Sequence, residues 1–106
     1  MKTFTEFWPF YLREHAQPTT RALHFAGTTL SLLLILCALA LRRPWLLLGA
    51  AVCGYAFAWV GHFFVEHNKP ATFKYPLWSL AADWKMWALA LRGRLDPELR
   101  RAGVRL

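Results

Sequence analysis

Two long apolar runs, separated only by Arg42 and Arg43, constrain this chain more than any other feature. Residues 22–41 read ALHFAGTTLSLLLILCALAL and residues 44–65 read PWLLLGAAVCGYAFAWVGHFFV; neither run carries a formal charge. About 20 apolar residues cross a ~30 Å hydrocarbon layer at ~1.5 Å per residue. So short a connection makes an antiparallel helical hairpin close to obligatory. Pro18, Thr19 and Thr20 supply one helix start, by fixed φ and capping hydroxyls, and Pro44 supplies the other. The expected fold class is all-α integral membrane, in a single helical domain over 1–106. One membrane helix is predicted at 18–41 and the second at 44–66.

Composition agrees with that reading. The chain is 57% hydrophobic and 16% aromatic, too apolar for a soluble domain of 106 residues. A net charge of +7 suits either nucleic acid or an anionic membrane surface. The apolar runs decide for the membrane, and no nucleic-acid partner is expected. Cys37 and Cys53 lie inside the runs, with no clustered cysteine ligand set, and read as buried apolar thiols. Glu6, Pro9, Arg13 and Glu14 precede any long apolar run, unlike a cleavable signal peptide.

Small residues line one side of each run: His24, Gly27, Thr28 and Ser31 on the first, and Ala51, Gly54, Tyr55, Ala58 and His62 on the second. Such faces let membrane helices approach closely, so the two histidine-bearing faces are predicted to meet. Thr3 and Glu6 fit a capping box at the start of segment 1–17. Its Phe4, Phe7, Trp8, Phe10 and Tyr11 form either an interfacial anchor or a helix packed on the hairpin. The Trp residues read as belt anchors.

Beyond Asn68 a loop with Pro70 and Pro76 leads to a third predicted helix, 77–92. Leu77, Leu80, Trp84, Trp87 and Leu91 form one apolar stripe, with Ser79, Asp83 and Met86 on another face. About 22 Å of helix containing Asp83 and Lys85 makes a poor full span. It reads as an interfacial helix or a short third crossing, with Asp83 on its polar side or, as the lesser alternative, an outer group supporting the site. The basic tail, 93–106, is expected to follow a lipid headgroup surface. Eleven of the thirteen Lys and Arg residues share the side of the two termini. The positive-inside tendency makes that side cytoplasmic.

The possible chemistry sits at one end of the hairpin. His24 lies nineteen residues before Arg43, and His62 nineteen after it. Antiparallel helices of equal rise place those imidazoles at one depth. Glu66 is one turn beyond His62 on the same face. His15 precedes His24 by nine residues, and the Gln17–Pro18 break lets its segment fold back over the hairpin mouth. His67 points away and reads as solvated. The candidate metal ligands are therefore His15, His24, His62 and Glu66, with Glu66 either a fourth ligand or a group orienting His62. Two or three His with a carboxylate suit non-haem Fe(II); zinc with three ligands and a water is the alternative.

Two segments resemble the membrane-bound 2-hydroxy fatty acid dioxygenase family, known from fungal α-oxidation and with small bacterial members. Residues 10–24, FYLREHAQPTTRALH, are similar to its Tyr/His segment followed by a histidine nine residues later. Residues 61–71, GHFFVEHNKPA, are similar to its pattern of Gly-His, three residues, Glu, three residues, Pro-Ala. The likeness covers roughly residues 7–91. It implies a small helical membrane protein that oxidises a 2-hydroxy fatty acid with Fe(II) and O2, shortening it by one carbon. By position it carries the ligand roles to His15, His24 and His62 and the motif acid to Glu66. The chain is shorter than the fungal enzymes, lacks their further membrane helices, and has His67-Asn68 where a more basic pair is expected. Arg21 and Lys69 are the cations expected to hold the substrate carboxylate. A bacterial-type inner membrane is the expected location, with membrane lipid around the chain and a homo-oligomer or larger membrane complex as its assembly. The rival reading is a non-enzymatic accessory subunit of such a complex; a zinc hydrolase is a weaker third.

Overall fold

A computed structural model describes residues 1–106 and is helical throughout. Helix α1 spans Phe4–Arg13, α2 Pro18–Leu41 and α3 Leu46–Glu66, followed by a 3₁₀ turn at Ala71–Phe73, α4 at Pro76–Leu91 and α5 at Leu95–Arg101. Pro18 opens α2 and Pro76 opens α4, each where a missing N–H costs nothing. Thr3 caps α1 by accepting from the Glu6 N–H at 3.2 Å. Glu6 reaches back to the Lys2 N–H at 2.9 Å, one residue short of the reciprocal bond in a capping box.

The hairpin forms as the pattern requires. Arg42 takes a left-handed conformation (φ 53°) that reverses the chain after α2, and α3 begins at Leu46, two residues beyond the predicted start. The contact face of α2 is the predicted one, with His24, Gly27, Thr28 and Ser31 all buried. On α3 the face is rotated slightly: Ala50, Ala58, Gly61 and His62 are buried, whereas Ala51 is exposed. A Cβ on Gly27 would come within 2.8 Å of the Phe57 Cβ, so the backbones cross there at a distance only glycine permits.

Both hairpin helices are long and apolar enough to cross a membrane. Only 28% of one span and 22% of the other is buried inside the protein. The core helix of a water-soluble protein would be mostly buried. Here Leu33, Leu36, Leu39, Leu48, Val52 and Phe64 face outward, the kind of exposed apolar surface that marks a membrane or protein contact. Cys37 also faces outward, contrary to its expected burial.

Three further segments take definite form. Phe7, Tyr11 and Leu12 are fully enclosed, so of the two readings of segment 1–17 the structure has the packed helix. The tail is not a loose basic strand. It folds into α5, whose Leu95 and Leu99, with Ala102 and Val104, join the same apolar cluster against α1 and α4. The third helix gains a direction that its pattern left open: Ser79, Ala82 and Met86 are buried, while Leu77 is 79% and Leu91 68% exposed. Leu77, Leu80 and Leu91 of its apolar stripe face outward, Trp84 and Trp87 are half-buried, and the face carrying Ser79, Ala82 and Met86 packs on the protein.

Candidate metal centre

His15 lies in the turn between α1 and α2, where Gln17, extended before Pro18, ends the first helix and redirects the chain. Three side chains fasten this turn to the hairpin. Arg21 Nη1 donates to the His15 carbonyl at 2.8 Å and to the Ala16 carbonyl at 2.9 Å. Glu66 Oε1 accepts from the Gln17 N–H at 2.6 Å. Asn68 Nδ2 donates to the Glu14 carbonyl at 3.1 Å. His24 projects from α2, and His62 from the last turn of α3, Gly61–Glu66, which is wound as a π-helix. Such widened turns recur where a side chain must be aimed.

The three imidazoles converge. Their ring centroids are 4.3 Å apart for His15 and His24, 4.5 Å for His15 and His62, and 5.2 Å for His24 and His62. All are buried, at 1%, 4% and 2% exposure, and one ring nitrogen of each lies within 4.8 Å of the others. The remaining nitrogens define the protonation. His15 Nδ1 lies 2.6 Å from the Tyr11 carbonyl oxygen and His24 Nδ1 3.1 Å from that of Thr20. His62 Nδ1 lies 2.7 Å from Asn68 Oδ1, and the Asn68 amide is oriented by its bond to Glu14. All three partners are acceptors, so each Nδ1 carries the proton and each Nε2 presents a lone pair. His15 Nε2 and His24 Nε2 are nevertheless 2.9 Å apart. Two lone pairs at that distance repel unless a cation lies between them. Burial first, then the neighbouring His24 and His62, hold the His15 pKa well below its ordinary 6.5, so the ring is neutral at physiological pH. Three neutral imidazoles, each braced through Nδ1, form a donor set that fits a divalent first-row ion.

A second pair adjoins the cluster. The Tyr11 hydroxyl donates to Asp83 Oδ1 at 2.5 Å, and that oxygen is 4.0 Å from His24 Nε2. Burial raises the Asp83 pKa to about 7, a shift the Tyr11 hydrogen bond only partly offsets. Tyr11 is itself pushed well above its ordinary value, by burial and then by the Asp83 charge. At neutral pH the carboxyl is thus poised between its two forms.

The structure therefore brings together His15, His24 and His62. It places the Glu66 carboxylate on the Gln17 backbone, Arg21 on two carbonyls of the same turn, and Lys69 in the exposed loop after α3. His67 is exposed, as expected, in a left-handed turn (φ 60°). Sequence reasoning missed the bracing role of Asn68; for Asp83 it preferred the polar side of its helix over a place beside the ligands, and the structure puts the carboxylate beside His24. Tyr11 was legible in part, lying one helical turn before His15 on the same face. Asn68 follows a reversal of the chain, which no periodicity reports.

A family model described as 2-hydroxy-palmitic acid dioxygenase Mpo1-like matches residues 1–95. No curated protein and no solved structure matches the chain.

Proposed function

The chain belongs to this Mpo1-like family, and on that footing we propose that it is an integral membrane dioxygenase that uses Fe(II) and O2 to oxidise a 2-hydroxy fatty acid or a similar lipid. The observation that carries the reading is the convergence of three lone-pair nitrogens, each braced from behind, in a buried pocket. His15, His24 and His62 would hold the metal. Bound Fe(II) would supply redox chemistry toward O2 and a hydroxy-carboxylate.

The chain's own residues do the rest. Burial of all three rings excludes bulk water. Tyr11, Thr20 and Asn68 fix the ring orientations. Glu66 acts as a positioning group, clamping the turn that carries His15. The Asp83 carboxyl, beside His24, takes or returns a proton at Oδ1. Lys69 supplies positive charge at the loop for an approaching carboxylate, and Arg21 retains N–H groups beyond the two on Nη1. The outward-facing apolar surface supports insertion in a bilayer.

The test is metal and oxygen analysis of protein purified in detergent. About one iron per chain is expected, lost in His15→Ala, His24→Ala and His62→Ala, with O2 uptake on adding 2-hydroxypalmitate and a product one carbon shorter. Stoichiometric zinc without O2 uptake would favour a hydrolase. Metal-free protein that copurifies with larger subunits would favour an accessory role.

A further inference from the structure

A groove of about 350 Å³ runs between α2, α3 and α4. His24 and Asp83 stand at one end, and Ile35 and Leu47 at the other. On α2 its lining residues, His24, Thr28, Ser31 and Ile35, follow one another at steps of four, three and four, so the groove follows a single helix face. Eleven residues along that face span about 16 Å. Polarity is graded along the length. The only ionisable groups at the catalytic end are His24 and Asp83. Midway, the Ser31 hydroxyl is already satisfied, donating to the Ala50 carbonyl at 2.6 Å. The far end is wholly apolar.

The geometry points to this groove as the seat of the substrate's own acyl tail, with Ile35, Leu47 and Ala51 setting chain-length preference. The inference deepens the proposed function and rests on it for the identity of the head group. The volume has room for about a dozen methylene-sized groups at the ~30 Å³ each that a water occupies, and the length agrees. It is also within the range of small-molecule sites. A bilayer phospholipid fits less well, because the polar end closes on His24, which is 4% exposed. A single carboxylate and hydroxyl suffice there.

The experiment uses the full chain in nanodiscs and a 2-hydroxy fatty acid of sixteen carbons bearing a diazirine at its tail end. Illumination and peptide mapping should place the adduct on residues near Ile35 and Leu47, and a mid-chain diazirine should label near Thr28 and Gly54. Excess unlabelled 2-hydroxypalmitate should abolish both adducts. Labelling scattered over the outer leucines, or displacement by phosphatidylcholine but not by the 2-hydroxy acid, overturns the assignment. This readout needs no turnover, so it separates failure of the groove from failure of the oxygenase reading. In turnover, Ala51→Phe should lower the ratio of sixteen- to ten-carbon substrate use at least tenfold with bound metal unchanged. Leu47→Ala, the milder change, should move preference toward longer tails. Equal effects on both lengths in these variants would remove the length-setting role.

Discussion

Asn68 does for His62 what backbone carbonyls do for His15 and His24. Its Oδ1 accepts the Nδ1 proton at 2.7 Å while its Nδ2 holds Glu14. Removing that acceptor frees the ring to rotate and to change tautomer. Asn68→Leu is expected to weaken metal binding about 10- to 100-fold, with Asn68→Asp far closer to wild type; titration of the metal-free protein measures both. Asp83 makes a second residue-scale prediction. Its folded pKa of about 7 lies above the unfolded value of 3.8, so ionisation opposes folding. The stability associated with its neutral form is complete below pH 3.8 and is lost as pH rises through about 7. Asp83→Asn, which keeps an acceptor for the Tyr11 hydroxyl, should leave the metal-free protein unchanged near pH 4. Above pH 7 it should raise the melting temperature by a few degrees, as thermal unfolding in detergent will read.

At the scale of elements, the closeness of α2 and α3 brings His24 within reach of His62. Gly27 is the tightest point: an added methyl would meet Phe57 Cβ at 2.8 Å and the Cys53 carbonyl at 3.2 Å, neither the free end of a flexible side chain. Gly27→Ala is therefore expected to destabilise the hairpin by about 1–3 kcal/mol through overpacking. At Gly49 the nearest atom is the tip of Leu34, at 3.6 Å, so Gly49→Ala should be neutral or mildly stabilising. Paired denaturation curves of the two variants separate helix approach from generic glycine loss. The π-wound end of α3 belongs to the same scale. It carries both His62 and Glu66, and a regular 3.6-residue reading of GHFFVE does not disclose it. The α4 stripe was likewise visible as a pattern, but not its direction. Leu77 and Leu91 face outward because Ala82 and Met86, on the other side of α4, fill the apolar cluster with Phe7, Tyr11 and Leu12.

At the scale of the molecule, an apolar hairpin carries a cap of three shorter helices at its histidine end. Phe7, Tyr11 and Leu12 of α1 pack with Met86 of α4 and Leu99 of α5. Two helices are long and apolar enough to cross a membrane, and with eleven of the thirteen Lys and Arg on the side of the termini the positive-inside tendency predicts cytoplasmic termini, with Arg42 and Arg43 on the opposite face. Reporter fusions at residue 1 and at residue 106 should both be active in the cytoplasmic format. An active exported reporter at either end would reverse or break that topology.

The amino-acid sequence by itself determined the hairpin, because two uncharged helical runs of about twenty residues joined only by Arg42-Arg43 can bury their facing sides economically only by packing antiparallel. It also determined the meeting of His24 and His62, which follows from equal helix rise, and the return of His15 at the Gln17–Pro18 break. Only the tertiary structure decided what surrounds them. Asn68 arrives through a left-handed turn, Asp83 through the docking of α4, and Glu66 is drawn to Gln17 rather than inward. Local periodicity records which residues share a face of one helix. It carries no information on how separate helices rotate against one another, and that rotation selects which polar group completes a site.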